Sequence, residues 1–83
     1  MLRKIECFIQ PTKLESVKDG LIEAGIEGMS VTEVLGFGKQ RGYINGGEPN
    51  RRVKLLKKIK LEIVVGEDEL ESITTAIIKL ART

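Results

Sequence analysis

Histidine and tryptophan are absent from this 83-residue chain, and one tyrosine and two phenylalanines are its only aromatic residues. Without histidine, and with no paired carboxylates or nucleophile triad in the residue order, the sequence offers no acid–base or nucleophilic apparatus. An independent enzyme is not expected. The shortage of rings weighs against a sheet that stacks nucleic-acid bases, since such modules use pairs of exposed aromatics. Phe8 is the one candidate on its strand, and Phe37 stands at the entrance of a loop. The single cysteine, Cys7, has no partner for an internal disulfide, which fits a reduced, cytoplasmic protein. On an alternating strand it reads as a small apolar side chain. No apolar run is long enough to cross a bilayer, and no charged, apolar, small-residue leader opens the chain.

What the chain does have is polarised charge. Its formal net charge is only +2, yet the stretch from Lys39 to Lys60 holds eight basic residues against one acid, Glu48. That stretch therefore carries +7 and the remainder −5. It holds Gly42, Gly46, Gly47, Pro49 and Asn50, follows directly on Gly36 and Gly38, and lacks regular hydrophobic periodicity. A glycine-rich cationic loop on a small scaffold is where an anion, most often a phosphate, is expected to bind. The chain is one domain, with this long basic loop over 38–57. A chain of this length buries about 60% of its unfolded surface, so oligomerisation would supplement a thin core.

Outside the loop the periodicities are clear. Ile5, Cys7 and Ile9 alternate with Glu6, Phe8 and Gln10, which predicts a strand ended by Pro11-Thr12. Thr12 with Glu15 matches a capping box, and Leu14, Val17, Leu21 and Ala24 recur on one helical face. Gly25 supplies a left-handed stop. Ser30–Leu35 is rich in β-branched residues and reads as a second strand whose imperfect alternation suggests a bulge or double coverage. Ile59, Leu61, Ile63 and Val65 share one face of a third strand that Gly66 breaks. Asp68 with Glu71 repeats the capping pattern, and Leu70, Ile73, Ile77 and Leu80 line a final helix. Glu67, Glu69 and Glu71 read as solvated acids near the positive end of that helix. Lys57, Lys58 and Lys60 could simply guard a strand against edge pairing.

The order βαββα predicts an α+β, ferredoxin-like split βαβ fold, with the final strand missing. Strands one and three are expected side by side and parallel, strand two pairing with strand three, and both helices on one face. Strand one would keep a long open edge, to be covered by a neighbouring chain or by further polypeptide.

Three segments carry a resemblance. Gly25-Ile-Glu-Gly-Met-Ser-Val-Thr-Glu-Val-Leu-Gly-Phe-Gly-Lys-Gln-Arg-Gly42 resembles the signature of the PII nitrogen-signalling proteins. Lys58-Ile-Lys-Leu-Glu-Ile-Val-Val65 resembles the strand that follows their long T-loop, and Ile77-Ile-Lys-Leu-Ala-Arg-Thr83 the end of their second helix. The resemblance covers nearly the whole chain apart from the middle of the loop.

It implies a homotrimer with nucleotide sites between neighbours, competition of ATP with ADP, and 2-oxoglutarate joining Mg-ATP. Gly36, Phe37 and Gly38 would bring backbone close to the phosphates, as glycine allows. Lys39 would supply charge where relatives more often have arginine, losing the planar fork. Gln40 would ligate Mg²⁺ through its side-chain oxygen, a ligand that suits this hard cation. Gln40, Arg41 and Lys58 would form the 2-oxoglutarate site, Lys58 pairing with a carboxylate. Glu62, Ile63 and Val64 would line the base and ribose region, closed by Gly28, Met29 and Ser30 across a subunit boundary. Tyr43, Arg51, Arg52 and Lys54 would lie on the partner-binding loop. Its +7 charge suggests an acidic protein surface, on a transporter or an assimilatory enzyme, with any membrane reached only through the transporter.

Two departures qualify the resemblance. Family members continue past the position of Thr83 with a second glycine-rich loop, a fourth strand and basic residues that contact phosphates. In the loop, the tyrosine that many bacterial members have uridylylated is replaced around Arg51–Arg52. Tyr43 lies too early to stand in for it, so covalent modification is not implied. The alternative is a basic nucleic-acid-binding module on a ferredoxin-like sheet. The loop charge fits that reading, but the lack of stacking pairs ranks it well below the first, and no nucleic-acid partner is expected.

Overall fold

The computed structural model describes residues 1–37 and 54–82. Its order is strand β1 (Leu2–Ile9), a 3₁₀ turn (Pro11–Lys13), helix α1 (Leu14–Glu23), strand β2 (Ser30–Gly36), strand β3 (Leu56–Gly66), a second 3₁₀ turn (Glu67–Glu69) and helix α2 (Leu70–Ala81). The three strands form one sheet in the order β1-β3-β2. This is the ferredoxin-like α+β arrangement, with one correction. β3 is antiparallel to β1 and to β2, so the parallel pair is β1 and β2. The crossover through α1 brings β2 back in the direction of β1, and β3 then runs the opposite way through the gap between them.

Alternation decides what β3 buries. Ile59, Leu61, Ile63 and Val65 are at most 5% exposed and join Ile9, Val17, Leu21, Ile73 and Ile77 in one apolar core. Both helices therefore pack on one face of the sheet, and no polar residue is buried among the described residues. The opposite face carries the even-numbered side chains of β1 and β3 and stays open; Phe8 and Val64 are more than half exposed there.

β2 pairs continuously from Ser30↔Glu62 to Gly36↔Leu56, with no bulge. Its weak alternation has a different cause: it is an edge strand, and Val31 and Leu35 remain exposed where the helices do not reach. β3 begins at Leu56, so Leu56 and Lys57, assigned by sequence to the basic loop, are strand residues.

Neither expected capping box forms. Thr12 lies inside the first 3₁₀ turn, whereas a capping residue needs an extended backbone, and Glu15 instead pairs with Lys18 at 2.8 Å. Before α2 it is Glu69, not Glu71, that reaches back to accept the Gly66 N–H, at 3.1 Å. Glu67 pairs with Arg3 at 2.8 Å, so two of the acids expected to be merely solvated make structural contacts. α1 ends at Glu23 and leaves Ala24 exposed as its cap, off the buried face. Gly25, at φ 101°, donates to the Ile22 carbonyl at 3.0 Å, and the Ile26 N–H donates to the Leu21 carbonyl at 3.2 Å. That pair of bonds is a Schellman closure, and Ile26 packs back against the core.

Candidate functional site

Unequal strand lengths create the first cleft. β3 pairs with β1 as far as Leu2↔Gly66, but with β2 only as far as Ser30↔Glu62. Residues 63–66 of β3 therefore run past the start of β2, and the segment leading from α1 into β2 passes beside this notch. Gly28, Met29, Ser30, Glu62 and Val64 line a cavity of about 310 Å³ there. A second cavity, about 620 Å³, lies on the other side of Val64, against Gly25–Glu27, Gly66 and Glu69. Five residues expected at one site are thus brought together from two distant stretches of chain. Ile63 is the exception: strand alternation sends its side chain into the core, where it is fully buried, so it does not line the cleft.

The cleft has mixed chemistry. Met29 and Val64 give apolar wall, Ser30 a hydroxyl, and Glu62 a carboxylate. Glu62 is not isolated: Lys4 Nζ lies 2.8 Å from its Oε2 and 3.9 Å from Oε2 of Glu6, and Lys60 Nζ lies 3.6 Å from the same Glu6 oxygen. The hydrogen bond from Lys4, and then the charges of Lys4 and Lys60, hold the Glu62 carboxyl below its ordinary value. The same bond raises the Lys4 ammonium above its own. The sequence did not single out Lys4, because its relation to Glu62 depends on strand register.

At the opposite end of β2, Gly36, Phe37 and Lys58 come together with Phe8, Val34 and Leu35 around a cavity of about 470 Å³. An ammonium beside an open strand end suits an anion. Lys54 is exposed just before β3. Gly38, Lys39, Gln40, Arg41, Tyr43, Arg51 and Arg52 lie outside the described residues. Cys7 is half-buried on the helix side of β1, and burial pushes its thiol up, in keeping with an unreactive packing residue. No group of three or more metal-ligating side chains occurs among the described residues. No helix of the described residues is long and apolar enough to cross a membrane.

The fold and clefts define a small ferredoxin-like α+β protein with ligand-sized openings at both ends of one edge strand. The family model for nitrogen regulatory protein P-II matches residues 2–83. The chain is 45% identical over 85 aligned positions to nitrogen regulatory protein P-II of Mesorhizobium japonicum, and 45% to that of Porphyra purpurea. It is 44% identical to nitrogen regulatory protein P-II 1 of Escherichia coli K12; each alignment covers 99% of this chain and 74% of the relative. The crystal structure of Arabidopsis thaliana PII bound to citrate superposes with a TM-score of 0.76 at 34% identity, covering 99% of this chain and 64% of that one. This chain therefore belongs to the P-II family of nitrogen regulatory proteins, which are signal-transduction regulators.

Proposed function

We propose that the chain is a PII-type sensor of ATP, ADP and 2-oxoglutarate that acts by binding and not by catalysis. ATP or ADP would sit in clefts between the subunits of a homotrimer, with Mg²⁺ held beside ATP by Gln40. Lys58, with Gln40 and Arg41, would take 2-oxoglutarate. The basic loop, through Tyr43, Arg51, Arg52 and Lys54, would present the result to an acidic surface on a transporter or assimilatory enzyme. The setting is the cytoplasm.

One observation supports this reading: among the described residues, Gly28–Ser30, Glu62 and Val64 line a cleft at one end of β2, and Gly36 and Phe37 line another at the opposite end. Six residue-to-residue steps of extended strand separate Ser30 from Gly36, roughly 20 Å. In a head-to-tail ring, one end of a chain meets the other end of its neighbour, which would join Gly28–Ser30, Glu62 and Val64 to Gly36–Gly38 and Lys39. The chemistry of each half suits its part. Apolar wall, hydroxyl and carboxylate suit a base and ribose; glycine backbone and lysines suit phosphates. In Gly36–Gly38 and Lys39 the phosphates would meet backbone N–H groups and a point charge. The Arabidopsis relative holds citrate, a polycarboxylate, which agrees with a family able to bind small carboxylates such as 2-oxoglutarate.

A ligand that favours one loop arrangement over another by a few kcal/mol is enough to exchange the dominant population. Nucleotide occupancy can therefore be passed to a partner without chemistry on the protein. The nucleic-acid reading gains one observation, Phe8 and Phe37 sharing a cleft with Lys58. It loses more to the carboxylates Glu6 and Glu62 on the same open face, which repel a phosphate backbone.

The discriminating substitution is Gln40→Ala, followed by displacement of a fluorescent ADP analogue and by titration of 2-oxoglutarate in Mg-ATP. Binding of 2-oxoglutarate should weaken far more than binding of ADP, because the metal bridge belongs to the ternary complex. Equal losses would count against the role given to Gln40.

A further inference from the structure

Among the described residues Glu62 is the only charged group lining the 310 Å³ cleft. Its carboxylate stands directly opposite another, Glu6, across the β1–β3 ladder. Like charges in that position repel, and a cation between them relieves the repulsion. Lys4 is that cation. It precedes Glu6 by two residues on the same open face, stands opposite Val64 in the register, and places Nζ 2.8 Å from Glu62 Oε2. Val64 is itself a wall of the cleft, so the lysine lies across the two residues that shape it on the β3 side. Lys60, also on this face, leans to Glu6 and not to Glu62.

We propose that Lys4 is a positioning residue of the cleft: it holds Glu62 by Oε2, leaves Oε1 to accept from the hydroxyls of a bound nucleotide, and cancels a charge that would repel the phosphates. The proposal rests on the reading of this cleft as a nucleotide half-site. Lys4 would touch no ligand atom and would act through Glu62. A carboxylate with one oxygen fixed by a charge-assisted bond has lost most of its rotational freedom before the ligand arrives, and this is the benefit of preorganisation. The groups around Glu62 on this face are Lys4 and Glu6 on β1, Lys58 and Lys60 on β3, and the uncharged Ser30 and Thr32 on β2. Of these, Lys4 is the first cause of the lowered Glu62 carboxyl.

The sign of the pH effect follows. With Lys4 present, Glu62 keeps its charge to lower pH than an ordinary glutamate does. With Lys4 removed and Glu6 still opposite, Glu62 gains a proton at higher pH than in the unaltered chain. Any affinity that needs the carboxylate is then lost earlier on acidification.

The experiment is calorimetric titration of ATP into the unaltered chain, Lys4→Met, Lys4→Arg, Glu62→Gln and the double variant Lys4→Met/Glu62→Gln. Carboxyl NMR titration of Glu62 is run in parallel on the variants that retain it. Lys4→Met should weaken ATP about tenfold, within the range of coupling seen between groups in direct contact. Lys4→Arg should restore most of that loss, and in the Glu62→Gln background Lys4→Met should cost nothing more. The Glu62 titration should move to higher pH in Lys4→Met. ATP binding to Lys4→Met equal to that of the unaltered chain would overturn the assignment. So would a loss that persists in the Glu62→Gln background, or an unmoved Glu62 titration. Failure of the unaltered chain to bind ATP would overturn the nucleotide reading of the cleft, and the assignment with it.

Discussion

Gly25 closes α1 with φ at 101°, a backbone region that costs an L-residue about 1–2 kcal/mol. Its bond to the Ile22 carbonyl and that of Ile26 to the Leu21 carbonyl turn the chain toward Gly28–Ser30, so the geometry of the first cleft begins at this turn. Gly25→Ala should lower stability by about 1–2 kcal/mol in urea unfolding. Gly28→Ala, where a Cβ meets open space and φ is not positive, should change stability by less than about 0.5 kcal/mol. Equal losses at both positions would mean that the left-handed closure does not set this turn. Residue identity was legible here because a glycine after an amphipathic helix has few other uses. Lys4 was not legible, since its value comes from a diagonal contact across a ladder whose direction the sequence leaves open. Ile63 was named beside Glu62 and Val64, while a period of two sends its side chain to the opposite face, into the core.

Among the elements, β1, β3 and α2 were readable from alternation or helical spacing alone, because each has one buried face. β2 was read correctly as a strand but explained wrongly; an edge strand partly beyond the helices has no clean pattern to show. The direction of β3 relative to β1 was lost because hydrophobic alternation is the same in either direction, and only the crossover geometry separates them. The caps expected at Thr12 and Asp68 fall one residue before the observed α-helix caps, Lys13 and Glu69, as 3₁₀ turns at Pro11–Lys13 and Glu67–Glu69 carry the same residues that would cap an α-helix directly. The contact between the helices depends on Gly20, where an added Cβ would collide with Leu80. A branched side chain there would have to displace the Leu80 side chain from its packed position. Gly20→Val should therefore cost about 1–3 kcal/mol of overpacking, and Leu80→Ala in the same chain should recover part of it. Full stability in Gly20→Val, measured by thermal unfolding, would mean that α1 and α2 are less closely packed than described.

At the scale of the whole molecule, the polarised charge of the sequence and the two separated half-sites lead to the same account. Basic residues concentrate toward the end of the β2–β3 pair where Lys58 and Gly36 meet, while Glu62 at the other end is neutralised by a lysine from β1. Under the proposed function, the described clefts at the two ends of β2 would each supply part of a nucleotide site, and assembly would complete it. The resemblance named residues 28–30 together with 62–64, but residue patterning alone does not show that they adjoin, which follows only once β3 lies between the other strands. The most direct test is calorimetric titration of 2-oxoglutarate into the chain alone, with ATP, and with Mg-ATP, after ATP binding itself has been measured. The account predicts that ATP binds and that 2-oxoglutarate binds only when Mg-ATP is present. Binding of 2-oxoglutarate without nucleotide, or no binding of ATP under any condition, would contradict it.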